Sequence, residues 1–450
     1  MLFGAAFGRP LFVYDDIVCN NFPMSERIYR DSVHNIIRVQ TGTPEGELIA
    51  ELIDSAEFQR LRRIRQLGLA YFAYQSAEHS RFTHSLGAFH LATRTLDRLR
   101  LKYEISDDDR IAVRVAALLH DVGHGAFSHV IESILGFHHE EFSISTVQST
   151  DTEIGRILAD HSATLAADIA SILRGRFRRR ALAQLVSSQL DVDRMDYLLR
   201  DSLLTGAKYG IFDLEWIIKS LEINERDDHL YISGPGVYAV EDYLQARYYM
   251  FRQVYFHRTL RAAESMLKAL LRRAMMLYGE GGDVWLYDGT PMVKILRGER
   301  LSLAEHLSLD DTDILFYIKQ WRGSKDTILA DLSSRFLDRR LFKAYDLDMP
   351  ENDRTSFIEG VRNAAAARGF DPEYYTLEDQ AAHSQYHFYT RDTSNVKDLI
   401  YVEHGFSRPS IREISEVSGA VRGLQEGYSL HRLCFPAELK DEIEGLYHNA

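Results

Sequence analysis

Cysteine is nearly absent: Cys19 and Cys434 are the only two among 450 residues. That excludes a disulfide framework and a cysteine-built zinc site, and it fits a reducing compartment, the cytoplasm. Proline is scarce as well, nine in all, and no stretch reads as a long linker. No apolar run approaches the roughly 20 residues of a membrane-spanning helix. The first residues, MLFGAAFGRPLFVYDD, lack the positively charged start of a secretory signal. Positive charge is in deficit, with 53 Lys and Arg against 66 Asp and Glu and a net charge of −13. Nonspecific binding to long nucleic acid depends on neutralising phosphates, so this balance argues against it. A single nucleotide needs only a local cationic cluster. Residues 173–180 (LRGRFRRR) form one such cluster, which reads as a solvated basic loop or an inter-subunit contact.

What is there is an ordinary globular composition, 45% apolar and 26% charged, on a chain long enough for a large core. Residues 31–39 (DSVHNIIRV) are β-rich and suggest a strand or hairpin arm before the TGTPEGE turn. Helical spacing predicts one helix over 51–67, stopped by Gly68, and another over about 83–99. An acidic turn at 107–109 should then lead into a helix running up to His120 and Asp121. Further helices are predicted over 181–204 and 241–278, with short strands and turns, a hairpin, over 221–240 between them (HLYISGPGVYAV). Helices continue to about residue 343, and the strand-like runs QYHFYTR, DLIYVEH and YSLHRLCF mark a mixed tail. The reading is a mainly α protein: a lead-in over 1–30, a helical core over 31–300, and a smaller helical and α+β C-terminal lobe over 301–450.

The chemistry concentrates in residues 116–140, AALLHDVGHGAFSHVIESILGFHHE. Five histidines stand there with Asp121, Glu132 and Glu140, flanked by apolar helix. Buried imidazoles and carboxylates need ligation or hydrogen bonds to offset their lost hydration, so the cluster reads as a site. HSRFTHSLG adds Arg81 and His84 at a helix start. In QLDVDRMDYLLRD, Asp193, Tyr197 and Asp201 fall at i, i+4 and i+8 on one helix face. His84, His120, Asp121 and Asp193 together make a set of two imidazoles and two carboxylates. Such a set accepts a divalent metal (Fe, Mn, Zn or Mg) and leaves positions for water and substrate.

FQRLRRIRQLG, RFTHSLG, LLHDVGHGAFSH, HHEE, DVDRMDYLLRD and ARYYMFRQVYFHR occur here in one order. In that order the chain resembles the HD-domain deoxynucleoside triphosphate triphosphohydrolases, in the branch of the sterile-alpha-motif and HD-domain enzyme of animals and its bacterial relatives. No sterile-alpha-motif domain is visible. The resemblance implies an HD-domain core and metal ligation by His84, His120, Asp121 and Asp193. It places His124, His129, His139 and Glu140 around the α-phosphate, with His129 protonating the departing 5′-oxygen. Glu132 stands where the family has an aspartate that orients His124. Arg81, Arg194 and Arg247 become a phosphate clamp, Arg194 replacing a lysine of the animal enzyme. Gln66 and Leu67 would face the sugar, with Tyr197, Asp201 and Tyr255 across from them. Tyr255 under the ribose would exclude a 2′-hydroxyl, and Phe251 replaces a histidine near the sugar. Asp54, Gln59 and Arg62 match part of an activator-nucleotide pocket for GTP or a dNTP, where Arg30 replaces an asparagine.

The activity so implied is a metal-dependent dNTP triphosphohydrolase working as a homo-oligomer, tetramer or dimer. One alternative is an HD-type phosphodiesterase or nucleotidase acting on monophosphate, cyclic or alarmone substrates, which has less use for Arg194 and Arg247. Another is a nucleotide-sensing regulator with a non-catalytic site, against which stands the presence of all four ligands.

Overall fold

The computed structural model describes residues 25–381, 399–405, 409–424 and 430–447. The lead-in through residue 24 with Cys19, the run QYHFYTR and the side chain of His129 lie outside that set. The description begins with an antiparallel hairpin, β1 (Glu26–Asp31) and β2 (Asn35–Gln40). The β-rich stretch 31–39 supplies β2, while residues 26–30, read as lead-in, form its partner strand, because the backbone groups of β2 pair with theirs. The hairpin turn is held by Asp31 Oδ1, which accepts the backbone N–H groups of Val33 and His34.

The single helix predicted over 51–67 is instead two. α1 (Pro44–Asp54) ends where Ser55 takes an extended backbone, and α2 (Ala56–Arg60) runs into a short 3₁₀ turn. Gly68, at φ +51°, takes the left-handed conformation that glycine tolerates. α3 (Arg81–Leu99) follows, then α4 (Asp107–Leu119). Asp107, Asp108 and Asp109 are the first turn of α4 under a Ser106 cap and not a separate turn. Acids suit a helix N-terminus because its free N–H groups and dipole favour negative charge.

Short helices come next: α5 (His129–Leu135), α6 (His139–Gln148), α7 (Glu153–His161), α8 (Leu165–Leu173) and α9 (Arg180–Ala183). α9 and α10 (Val192–Thr205) replace the continuous helix predicted over 181–204. The break is local chemistry: the buried Asp191 carboxylate accepts the N–H groups of Ser188 and Arg194 and starts α10 afresh. α11 (Leu214–Ser220), β3 (Leu221–Asn224) and β4 (His229–Ile232) lead to α12 (Val237–Met250). The long helix predicted over 241–278 is likewise split. A π turn, Phe251–Tyr255, separates α12 from α13 (Arg258–Gly279), whose start is capped by His257.

α14 (Met292–Leu296), α15 (Leu303–Ser308), α16 (Asp311–Trp321) and α17 (Thr327–Leu337) pack around α13. Beyond them lie β5 (Lys343–Asp346), α18 (Glu351–Ala367), α19 (Pro372–Tyr375) and β6 (Leu377–Ala381). β7 (Tyr401–His404), β8 (Ser410–Glu413), α20 (Ile414–Val417), α21 (Gly419–Gly423), β9 (Leu430–Phe435) and α22 (Lys440–Tyr447) close the chain. The fold is mainly α, with a smaller mixed C-terminal part built on the sheet β5–β9–β6. β7 and β8 join the earlier hairpin in a second sheet, β3–β4–β7–β8, so part of the tail returns to the core. Among the described residues the apolar side chains gather mainly into two cores. One is built on α1, α3, α4, α8, α10 and α12, the other on α13 and the helices around it. A cleft between them is lined from both, by Val186 and Tyr197 on one side and Phe127 and Leu260 on the other.

Candidate active site

α3 starts at Arg81, which puts Arg81 and His84 one turn apart on a buried face. α4 ends at Leu119 and presents His120 and Asp121 beside them, while Asp193 arrives on the first turn of α10. His84 Nε2 is 3.2 Å from His120 Nε2 and 3.0 Å from Asp193 Oδ1, and His120 Nε2 is 3.5 Å from the same oxygen. Each ring is turned inward by a bond to its other nitrogen. His84 Nδ1 donates to Asp196 Oδ2 at 2.8 Å, and His120 Nδ1 to Ala117 O at 2.9 Å. With both Nδ1 protons spoken for, two Nε2 lone pairs and a carboxylate oxygen face one another, an arrangement that requires a positive charge among them.

The protonation preferences say the same. Burial opposes charge on both rings, yet hydrogen bonds to Asp193 and Asp196 raise His84 to about 10, and the Asp121 charge raises His120. Burial also opposes ionised Asp193, but the bonds from His120 and His84 hold it well below the usual carboxylate range. A divalent cation satisfies these donors better than protons do, so the residues fit a metal. Asp121 stands at the edge of the group, with Oδ1 3.4 Å from His120 Nε2 and Oδ2 2.5 Å from Arg81 Nη1.

A second cluster adjoins it. The His124 and His139 rings stack at 3.6 Å and 18°, and Glu132 Oε1 accepts His139 Nδ1 at 3.0 Å while standing 3.8 Å from His124 Nδ1. Glu132, expected to orient His124, therefore has His139 as its nearer partner. Two imidazoles and a carboxylate this close can pass a proton among themselves, and their ligand atoms also lie near enough together to hold an ion. Burial, then the Arg81 charge, pushes His124 well below its ordinary value, so it is neutral near pH 7. Glu140, exposed on the first turn of α6, lines the same cleft.

The cleft has a volume of about 560 Å³, within the range of small-ligand sites. Arg81 and Arg194 line it, and Arg194 is tethered to Asp191 through its guanidinium. Arg247, buried near the cleft-lining Phe251, donates to Gln189 Oε1 at 2.5 Å with its guanidinium 5.8 Å from the Phe251 ring centre. Gln66, Leu67, Tyr197, Asp201 and Tyr255 all line the cleft. Asp201 is engaged at both oxygens, Oδ1 with His79 Nε2 at 2.7 Å and Oδ2 with the Tyr255 hydroxyl at 2.8 Å. Burial and the Asp201 charge hold the Tyr255 phenol well above its ordinary value, so it remains a donor. The π turn that carries Tyr255 is a local winding change of the kind found at functional sites.

Asp54, Gln59 and Arg62 lie away from the cleft. Asp54 pairs with Arg27 at 2.6 Å, Arg62 Nε donates to Gln59 Oε1 at 2.8 Å, and Arg62 covers the Phe82 ring. Arg30 bonds Asn35 within the first hairpin. Sequence reasoning missed Asp196, whose buried carboxylate receives His84, His34 and Arg200 together. Its position three residues after Asp193 on one helix was a usable signal. His34 offered none, since it arrives from a hairpin 162 residues away. Arg261 was missed too. It lines the cleft from α13 and is held by Glu264 and Asp379.

An HD domain model matches residues 81–201, and an HD associated region matches 212–299. The uncharacterized Bacillus subtilis protein YwfO is 36% identical over 92% of this chain and 93% of its own length. The Dictyostelium discoideum homolog of the deoxynucleoside triphosphate triphosphohydrolase SAMHD1 is 30% identical over 56% of this chain, which spans about half of that protein. Among solved structures, a phosphohydrolase from Bacteroides thetaiotaomicron superposes with a TM-score of 0.77 at 31% identity, covering 91% of this chain and all of the other.

Proposed function

The chain belongs to the HD-domain family that includes the Bacillus subtilis relative, and from that premise we propose that this metal-dependent phosphohydrolase is a dNTP triphosphohydrolase. Water would add its oxygen to the α-phosphorus, the bond to the 5′-oxygen would break, and a proton would pass to that oxygen. The products are a deoxynucleoside and inorganic triphosphate. The observation that carries the reading is a single cleft holding His120, Asp121 and Asp193 together with Arg81, Arg194 and Tyr255.

His84, His120, Asp121 and Asp193 would hold the divalent cation, which supplies Lewis-acid activation of water and polarises the phosphoryl oxygens. Arg81 and Arg194 neutralise phosphate charge in a geometry suited to bidentate contact, with Arg247 nearby. His124, kept neutral by burial and Arg81, is a hydrogen-bond partner in this scheme and not the acid. The acid is His129, assigned by sequence alone. His139, held by Glu132, and Glu140 complete the surroundings of the α-phosphate. Gln66 and Leu67 on one side and Tyr255 on the other take the sugar, and the Tyr255 ring excludes a 2′-hydroxyl. The same reading includes a homo-oligomer with a GTP or dNTP activator bound near Asp54, Gln59 and Arg62. No helix among the described residues is long and apolar enough to cross a membrane.

Incubating the metal-loaded protein with each dNTP and rNTP, with and without GTP, and separating the products tests the proposal. Deoxynucleoside with triphosphate is expected from dNTPs. Monophosphate with pyrophosphate, or turnover of cyclic or monophosphate substrates alone, would overturn it. His120→Ala is expected to lose both bound metal and hydrolysis. Undiminished hydrolysis by the metal-free variant would move the reaction elsewhere.

A further inference from the structure

The loop from Asp121 reaches α5 through a turn that its own residues resist. Phe127 and Ser128 sit at φ +45° and +32°, in the left-handed region that L side chains avoid, immediately before His129. The surroundings must impose that conformation, and they do so from outside both matched segments. Asp311 Oδ1 accepts the Phe127 backbone N–H at 2.8 Å, and Asp311 Oδ2 accepts that of Arg65 at 3.0 Å. Asp311 is 1% exposed. An aspartate at the start of α16 could simply serve that helix, but here Asp310 does so, accepting Thr312 N–H in a capping box with Asp313. Asp311 is left to bond two other segments.

The turn that carries Asp311 is itself fixed. Buried Arg60 donates to Leu309 O at 2.8 Å and to His306 O at 3.3 Å. His306 Nε2 donates to Gly123 O at 2.8 Å, and its ring stacks on Phe142 at 3.8 Å. A Cβ on Gly125 would stand 3.1 Å from that ring, so the loop lies flush against His306.

We propose that His306 and Asp311, at the two ends of the connection from α15 to α16, are positioning residues of the active site, Asp310 between them serving as the cap of α16. One carboxylate sets two walls of the cleft: the Phe127–Ser128 turn leading into His129, and the Arg65 segment leading into Gln66 and Leu67. The first wall bears on the chemical step and the second on substrate binding, given the dNTP triphosphohydrolase reading on which this rests. His306 braces the first wall only.

The test is Asp311→Asn in the full metal-loaded chain, which keeps the side chain's size but turns one acceptor into a donor facing an N–H. With a dNTP, kcat is expected to fall about 10- to 100-fold, the scale of a small misplacement near the chemistry, and KM to rise several-fold. Metal content should be unchanged. Backbone hydrogen exchange should accelerate in residues 122–130 and 64–68 and stay unchanged in α17 and α18. Asp310→Asn, which keeps its capping oxygen, is expected to retain the kinetics of the parent protein. His306→Leu is expected to lower kcat with little change in KM, and it carries the test if Asp311→Asn does not fold. A folded Asp311→Asn protein with parental kcat, KM and local exchange would overturn the proposal. So would loosening spread evenly over α13–α17 without a change in kcat. If the parent protein turns over no dNTP, the functional reading fails, while the exchange pattern still decides whether Asp311 braces both segments.

Discussion

At the scale of single residues, the candidate metal group owes its geometry to partners that do not touch the metal position. His84 can aim Nε2 inward only because Asp196 holds its Nδ1, and Asp196 keeps its own charge through Arg200, His34 and His84 against the cost of burial. Arg200 is in turn shared with Asp31 of the first hairpin. Asp196→Asn, nearly isosteric, should therefore weaken metal binding by about 10- to 100-fold, the usual penalty for losing such an outer partner. Chelator competition followed by metal analysis measures this, and unchanged affinity in a folded protein would refute the role. Tyr255 makes a different prediction because its ring and its hydroxyl do different work. Tyr255→Phe loses the bond to Asp201 but keeps the ring, so preference for dNTP over rNTP should persist. Tyr255→Ala opens the space, and the preference should fall by about tenfold or more. Equal kcat/KM ratios in the two variants would show that the ring is not what excludes the 2′-hydroxyl.

At the scale of elements, the site depends on how closely α3 approaches α10. A Cβ placed on Gly87 would lie 1.9 Å from Asp196 Oδ1 and 2.5 Å from Arg200 Nη2. Neither side chain can yield without breaking the bonds that orient His84. Gly87→Ala should therefore cost about 1–3 kcal/mol of stability, as overpacking in a core does, and lower metal content with it. Denaturant unfolding and metal analysis on one preparation would show whether the two losses travel together. The contact of α15 with the loop at Gly123 carries a pH signature. Burial first, then the Arg60 charge, lowers His306 from 6.5 to about 4. Between those values the unfolded chain binds a proton that the folded chain refuses. Stability from this group is thus complete above pH 6.5 and is lost as pH falls toward 4, by up to about 3 kcal/mol. His306→Gln should flatten the fall in unfolding free energy between pH 7 and 5 relative to the parent protein. Parallel curves would mean that His306 does not carry it.

At the scale of the whole molecule, the second apolar core joins residues far apart in the chain. Phe72, Phe127 and Phe142 share it with Leu267, Trp321, Phe336 and Leu377. A chain cut after residue 300 would leave the buried face of α13 uncovered and remove Asp311, so it should lack a cooperative unfolding transition and expose apolar surface to dye. A sharp transition in the shortened chain would show that the catalytic core is self-sufficient. The same long-range packing sets what could be read in advance. The helical class, the second strand of the first hairpin, the approach of His84, His120 and Asp193 to one another and the gathering of Gln66, Tyr197, Asp201 and Tyr255 at one cleft were legible, because periodicity and motif order are local properties of a sequence. The helix breaks at Ser55, Asp191 and Phe251 were not. Apolar spacing runs straight through them, whereas each break depends on backbone bonding and on the segments packed alongside. The bond of Arg247 to Gln189, the closer approach of Glu132 to His139 than to His124, and the return of β7 and β8 to the core sheet were equally invisible. By itself the sequence determined which histidines, carboxylates and arginines are candidates for the site and in what order they come. Only the tertiary structure decided which partners orient them, as Asp196 does for His84 across 112 residues and Asp311 for Phe127 across 184. The physical reason is that a hydrogen bond between remote segments is set by how helices pack, and no local pattern in the chain encodes that distance.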